Sequence, residues 1–203
     1  MKTIHFVLGI LCALVGFVGS ARADAVVGEP APDFTLFDLG GQPRKLSDFK
    51  GKIVVIEWNN PDCPIVHKHY DSGNIPKLQH AAMDKGVVWL MVNSSAHGQQ
   101  GGDYSAGEIK AWLAQHNSDP TAYLRDSDGK VGHLYGAKTT PHLFVVRADG
   151  ILAYDGGIDS IRSADQADIA RAQNYVAAAL TSVEAGQPVK RANTQPYGCA
   201  VKY

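Results

Sequence analysis

Short apolar runs alternate with amphipathic stretches along most of this chain. "KIVVIEW" (52–58) and "GVVWLMV" (86–92) are continuously apolar and rich in β-branched residues, the pattern of strands covered on both faces. "DFTLFDLGGQPRKL" instead alternates, with Phe34, Leu36 and Leu39 on one side of a Gly-Gly turn, and predicts a β-hairpin. "TAYLR" predicts a short strand, and "HLFVV" (142–146) with "ILAYDG" (151–156) a second hairpin across Ala148-Asp149-Gly150. Between the strands lie helix signals. Pro64 suits a first helical position, where its missing N–H costs nothing, with Cys63 as the cap. That helix should break near Gly73-Asn74-Ile75-Pro76 and run on to about Lys85. Ser105 and Glu108 form a capping box for another helix, and "DSDGKVGHLYG" predicts a turn with one or two helical turns. A second box, Ser163 to Gln166, predicts a long helix with Ile169, Ala172, Val176, Leu180 and Val183 at helical spacing and Gly186 as its stop. Residues 187–203 have no periodicity. The order of elements predicts an α/β chain: a central mixed sheet flanked by helices, with an N-terminal β-hairpin.

Composition trims this picture at the front. Lys2, the apolar run Phe6 to Val18 and the small-residue site Ala21-Arg22-Ala23 have the form of a secretory signal peptide, too short in its apolar core to span a membrane. Cleavage near Ala23-Asp24 would place the protein in the periplasm or outside the cell. The remaining residues, 24–203, suffice for one domain (24–186) with a tail (187–203) carrying Cys199. The first 23 residues hold two basic side chains and no acid, against 19 basic and 20 acidic in the whole sequence, so the mature charge is slightly negative. No basic patch suggests nucleic acid, and no second apolar segment suggests a membrane span in the mature form. Cleavage would also remove Cys12. Two cysteines, Cys63 and Cys199, would then reach an oxidising compartment, where thiols tend to pair.

Cys63 is the first candidate for chemistry. A helix N-terminus offers free N–H groups and partial positive charge, both of which favour thiolate over thiol. His67, one turn later on the same face, would add to this when protonated. The bland alternative is an inert buried thiol. Glu57 is an acid inside a doubly covered strand, where burial should raise its pKa. It is either a proton acceptor for the thiols or a strand-end residue that reaches solvent or a lysine. The Gly-rich loop 93–104 lacks a phosphate-binding ending and either flanks the site or is plain surface.

A buried strand ending in an aromatic, then Cys63-Pro64 opening a helix, then Thr140-Pro141 before a strand, resembles the thioredoxin superfamily. "APDFTLFDLGGQPRKLSDFKGK", "TTPHLFVVRADGILAYDGGID" and "GCAVKY" are similar to the redoxin branch, in a peroxiredoxin-like subgroup with a single Cys-Pro cysteine. The resemblance covers essentially residues 28–203 and implies a thioredoxin-like fold. It also implies a cis-proline at Pro141 that presents the Thr140 backbone to a bound substrate chain, and a proton-relay role for Glu57. The activity implied is that of a thiol-disulfide oxidoreductase or thiol peroxidase without cofactor or resident metal, acting on a protein disulfide or a peroxide and served by a thiol reductant.

In Cys63-Pro64-Ile65-Val66 the second cysteine of Cys-x-x-Cys is absent, and Asn60 stands where peroxiredoxins carry threonine. The missing partner is assigned to Cys199. About a dozen residues separate it from Gly186, and they span roughly 40 Å when extended. Gly198 would allow the close approach that a disulfide needs. Two other readings stay open: a non-catalytic binding module stapled by a permanent Cys63–Cys199 disulfide, and a copper-binding, metallochaperone-like protein using Cys63 and His67. The latter needs a third ligand from His97, His142 or Cys199, since His69 points about 200° away from His67. His69, His80 and His116 default to the surface.

Overall fold

The computed structural model describes residues 25–203; the expected signal segment lies outside the described residues. The chain opens with strands β1 (Thr35–Asp38) and β2 (Pro43–Lys45), the expected hairpin. Then follow β3 (Val54–Trp58), helices α1 (Pro64–Asp71) and α2 (Asn74–Met83), and β4 (Val88–Asn93). Helix α3 (Ala106–Gln115), β5 (Ala122–Arg125) and α4 (Lys130–Tyr135) come next. The two-residue β6 (Thr139–Thr140) precedes the hairpin of β7 (His142–Val146) and β8 (Leu152–Gly156). Helix α5 (Tyr175–Glu184) and a two-residue β9 (Cys199–Ala200) finish the chain.

Seven strands form one mixed sheet in the order β2-β1-β5-β4-β3-β7-β8. The neighbours β3, β4 and β5 run parallel, and the two hairpins add antiparallel edges on either side. The apolar runs are continuous because successive side chains enter two different cores. Val55, Trp89, Met91, Tyr123 and Val145 face one core with Val66, Tyr70 and Val176 of the helices. Val54, Ile56, Trp58, Leu90 and Phe144 face the other with Val131 and Tyr135.

The break between α1 and α2 falls at Gly73, whose φ of 71° lies in the left-handed region that glycine enters without strain. One expected element fails. Residues 163–186 are not a single helix but a 3-10 turn (Gln166–Arg171) followed by α5. Asn174 accepts a hydrogen bond from the Ala177 N–H and caps a new helix, and Ala172 takes an extended ψ of 141°. Asn side chains compete with the helix ladder in this way, so periodicity alone overran the boundary. The aperiodic tail is also more ordered than its pattern suggested. It runs beside β8, where Thr194 N–H donates to Asp155 O, and ends as β9 paired antiparallel with β6. No helix among the described residues is long and apolar enough to cross a membrane.

Candidate active site

Strand β3 lies between β4 and β7, so its C-terminal end opens onto the start of α1 and the turn before β7. Cys63 is the N-cap of α1, with Pro64 at the first helical position. Its residue exposure is 0 %. In the thiol form Cys63 Sγ donates to Thr140 O at 2.9 Å, across a Thr140-Pro141 peptide bond that is cis. The Thr140 hydroxyl is buried beside the Cys63 sulfur, close enough to favour its thiolate, and meets no other hydrogen-bond partner among the described residues.

The tail completes the site. In the pairing of β6 with β9, Thr140 lies opposite Cys199 and Thr139 opposite Ala200. The Cys199 N–H approaches Cys63 Sγ at 3.4 Å, and both cysteines are free thiols. Gly198 makes this possible. Its φ of 139° disfavours any side chain, and a Cβ there would sit 2.0 Å from Thr140 O. The two thiols shift in opposite directions. Burial pushes Cys63 up, but the Cys199 thiol and the backbone N–H groups of Val66 and Cys199 donate toward its sulfur, and the net result lies below the ordinary value. Burial, with the hydrogen bond and charge of Cys63, raises Cys199 to about 11.

Glu57 shares the face of the sheet with Val55, on the side where Cys63 packs, and is 0 % exposed, so the alternative that it reaches solvent or a lysine does not hold. Its Oε1 accepts from Asn59 Nδ2 (3.0 Å) and the Tyr70 hydroxyl (2.8 Å), and its Oε2 from Trp89 Nε1 (2.9 Å). Burial raises its pKa against these three neutral donors. Its direct partners are these side chains rather than either thiol.

His67 is half-buried and pairs with Asp71 at 3.6 Å. Among the described residues, the one group of three converging metal-capable side chains is His67, Asp71 and His116. The ligand set expected for the copper reading, Cys63 and His67 with a third residue, therefore does not form. His69 and His116 are buried rather than on the surface. His69 falls three residues after Val66 and one before Tyr70, so helical geometry turns it inward with both.

His69 belongs to a buried polar chain that sequence reasoning missed. Asn74 Nδ2 lies 2.8 Å from His69 Nδ1, His69 Nε2 lies 3.1 Å from the Tyr197 hydroxyl, and that hydroxyl donates to Asp159 Oδ1 at 2.7 Å. Burial lowers the His69 pKa to about 4, against the pull of Asp159 and with the help of Lys68. A neutral His69 accepting from Asn74 and donating to Tyr197 satisfies every bond in the chain. Lys68, also buried, reaches Ile161 O at 3.4 Å. The result is that Tyr197, two residues before Cys199, is held against α1. Only the odd density of His, Lys and Tyr on α1 hinted at this cluster.

The Gly-rich loop does flank the site. Asn60 Nδ2 donates to Gln100 O (3.0 Å), and the Tyr104 hydroxyl donates to Asp62 Oδ1 at 2.5 Å, which helps raise Tyr104 to about 12. Gly101 lies so close that a Cβ there would be 2.2 Å from Asn60 Oδ1.

A strand, a helix-capping cysteine, a cis X-Pro bond beside it and a flanking mixed sheet define a thioredoxin-like fold built around a thiol. The sequence agrees: residues 27–155 match the AhpC/TSA family, and the chain belongs to that family. It is 27 % identical over 150 residues to the thiol-disulfide oxidoreductase ResA of Bacillus thuringiensis subsp. konkukian (strain 97-27), covering 71 % of this chain and 80 % of that protein. An uncharacterized conserved protein from Geobacillus kaustophilus superposes with a TM-score of 0.70 at 26 % identity, covering 88 % of this chain and 93 % of that one. The thioredoxin domain of a thiol-disulfide oxidoreductase from Bacteroides vulgatus shares the fold, with a TM-score of 0.51 at 23 % identity over 72 % of this chain and 96 % of that one.

Proposed function

We propose that this protein is an exported thiol-disulfide oxidoreductase in which Cys63 is the nucleophile and Cys199 the resolving thiol. The observation that supports this best is the approach of Cys199 N–H to Cys63 Sγ, 3.4 Å, from a segment 136 residues away. The sulfur with the lowered pKa attacks, because the thiolate is the nucleophile. Cys63 thiolate forms a bond to one sulfur of a protein disulfide, and the other substrate sulfur leaves as a thiolate that takes up a proton. Cys199 thiolate then attacks Cys63 Sγ, the second substrate thiolate departs, and an internal Cys63–Cys199 disulfide remains. The substrate gains two electrons, the protein loses two, and an external thiol reductant restores the pair.

The raised pKa of Cys199 times the second step. After burial, its causes are the hydrogen bond and charge of Cys63, and both vanish once Cys63 is bonded to substrate. Cys199 thus becomes easier to deprotonate only after the first attack. Glu57, protonated more readily than a surface carboxylate, is the proton acceptor on the same face of the sheet. Thr140 and Pro141 orient the substrate chain, and His67 lies one turn along α1 from the nucleophile. Because β9 occupies the edge of β6 and Cys63 is fully covered, each turnover includes lifting of the tail.

Insulin-disulfide reduction and peroxide consumption, measured on wild type, Cys63→Ser and Cys199→Ser, test this reading. We expect insulin reduction in wild type, none in Cys63→Ser, and a trapped mixed disulfide in Cys199→Ser. Peroxide consumption without insulin reduction would move the assignment to a thiol peroxidase. Inactivity of all three would leave a static disulfide in a binding module. Fractionation of cells producing the full chain, with mass spectrometry of the N-terminus, tests export and cleavage near Ala23.

A further inference from the structure

We propose that His67, Asp71 and His116 form a binding site for one divalent transition-metal ion of the zinc class, separate from the thiol pair. His67 and Asp71 are one turn apart on α1, and His116 is the C-cap of α3. The three donor atoms lie within 4.8 Å of one another. Asp71 Oδ1 is 3.0 Å from His116 Nε2 and 3.6 Å from His67 Nδ1. Donors held about 2.1 Å from a tetrahedral zinc stand about 3.4 Å apart, so only small side-chain adjustments are needed. The two α1 side chains, each nearly half exposed, are free to make them.

His116 is the preorganised ligand. Its side chain is 4 % exposed and packed against Trp112, with ring centroids 4.4 Å apart. Nδ1 lies 2.7 Å from Trp112 O, a carbonyl that can only accept, so Nδ1 carries the proton. That bond orients the ring, as backbone carbonyls do for metal-bound histidines, and aims Nε2 at Asp71. Nε2 stands 3.0 Å from Asp71 Oδ1, where either a proton, in the His116–Asp71 ion pair, or a metal ion can bridge ring and carboxylate. Two imidazoles and one carboxylate suit zinc, copper or nickel rather than magnesium or calcium. The site opens into a cleft of about 480 Å³ lined by Asp71, Gly73, Lys77 and His116, which admits the ion and a fourth, non-protein ligand. A bound ion would tie α1 to the end of α3.

The thiols would compete for the same metals, so the full chain carrying Cys12→Ser, Cys63→Ser and Cys199→Ser is the reference protein. Zn²⁺ calorimetry should give one equivalent per chain, and Co²⁺ should give visible d–d bands without a sulfur-to-metal charge-transfer band. His67→Ala and Asp71→Asn, both at half-exposed positions, should each weaken Zn²⁺ at least tenfold. His116→Ala should abolish binding, with circular dichroism to establish that it folds. Zinc should also raise the melting temperature of the reference protein and leave that of His67→Ala unchanged. Absence of one-equivalent binding, or Zn²⁺ affinity in His67→Ala within threefold of the reference, would overturn the proposal. Displacement of the ion by millimolar Mg²⁺ would do the same.

Discussion

Cys63 and Cys199 meet at one point but belong to very different parts of the molecule. Cys63 stands where a central strand of the sheet delivers the chain to a capped helix, and that strand and helix bury Val55, Val66 and Tyr70 in one core and Ile56 and Trp58 in the other. Cys199 sits in a two-residue strand at the end of a tail, held by pairing with β6, by Tyr197 and by scattered backbone bonds. Their acidities diverge accordingly: the framework sulfur lies below the ordinary value, and the tail sulfur is raised to about 11. In the proposed reading, the framework holds the nucleophile in a fixed place, while a separable layer covers and resolves it. If this is right, damage to the framework should cost global stability, whereas damage to the tail should uncover Cys63 and leave the rest folded.

The largest effect should come from Glu57→Ala, which strands the Tyr70, Trp89 and Asn59 donors in the core and leaves a void. We expect a loss of about 3–5 kcal/mol in urea unfolding, with activity falling through unfolding. An equally large loss from tail substitutions would erase the distinction between the two regions. Gly198→Ala drives a Cβ onto Thr140 O and should unseat β9. Alkylation of Cys63 by iodoacetamide should then rise at least tenfold, with a smaller stability loss than in Glu57→Ala. Tyr197→Phe removes the hydroxyl between His69 and Asp159 and should cost about 1–3 kcal/mol. It should also speed alkylation, though less than Gly198→Ala does.

The smallest effect is one of acidity. Thiolate absorbance should show the first thiol titrating below the ordinary range and the second only near pH 11. Cys199→Ala should move the Cys63 pKa upward, because the foremost donor to its sulfur is gone while burial remains. The linkage signs also differ. Cys63, depressed in the folded state, contributes stability above the unfolded thiol value and loses it as pH falls through its folded value. Cys199, raised, contributes below the unfolded value and loses it as pH rises through about 11. A Cys63 pKa unmoved in Cys199→Ala would mean that the tail merely covers the sulfur.

Local rules made much of the fold legible. The apolar runs at 52–58 and 86–92, the two hairpins, the Ser105–Glu108 capping box and the Cys63-Pro64 helix start all became the expected elements. Each depends on interactions within a few residues, where periodicity and capping decide. The same logic failed at 163–186, where Asn174 caps a second helix and its neighbours Gln173 and Tyr175 bond across to Ser160 and Ile158.

The sequence by itself determined the alternation of strands and helices and the position of Cys63 at a helix cap, because strand burial and capping are written in neighbouring residues. Which side chains surround that sulfur was decided only by the tertiary structure. Cys199, Gly198 and Thr140 converge across 136 residues, and His69, Tyr197 and Asp159 join into one buried chain. His116 turns inward to Asp71 in the same way. Chain length allows such meetings but does not select them. Selection comes from close packing, which leaves room for the tail only where Gly198 has no side chain, and from the cost of burying polar groups that lack partners.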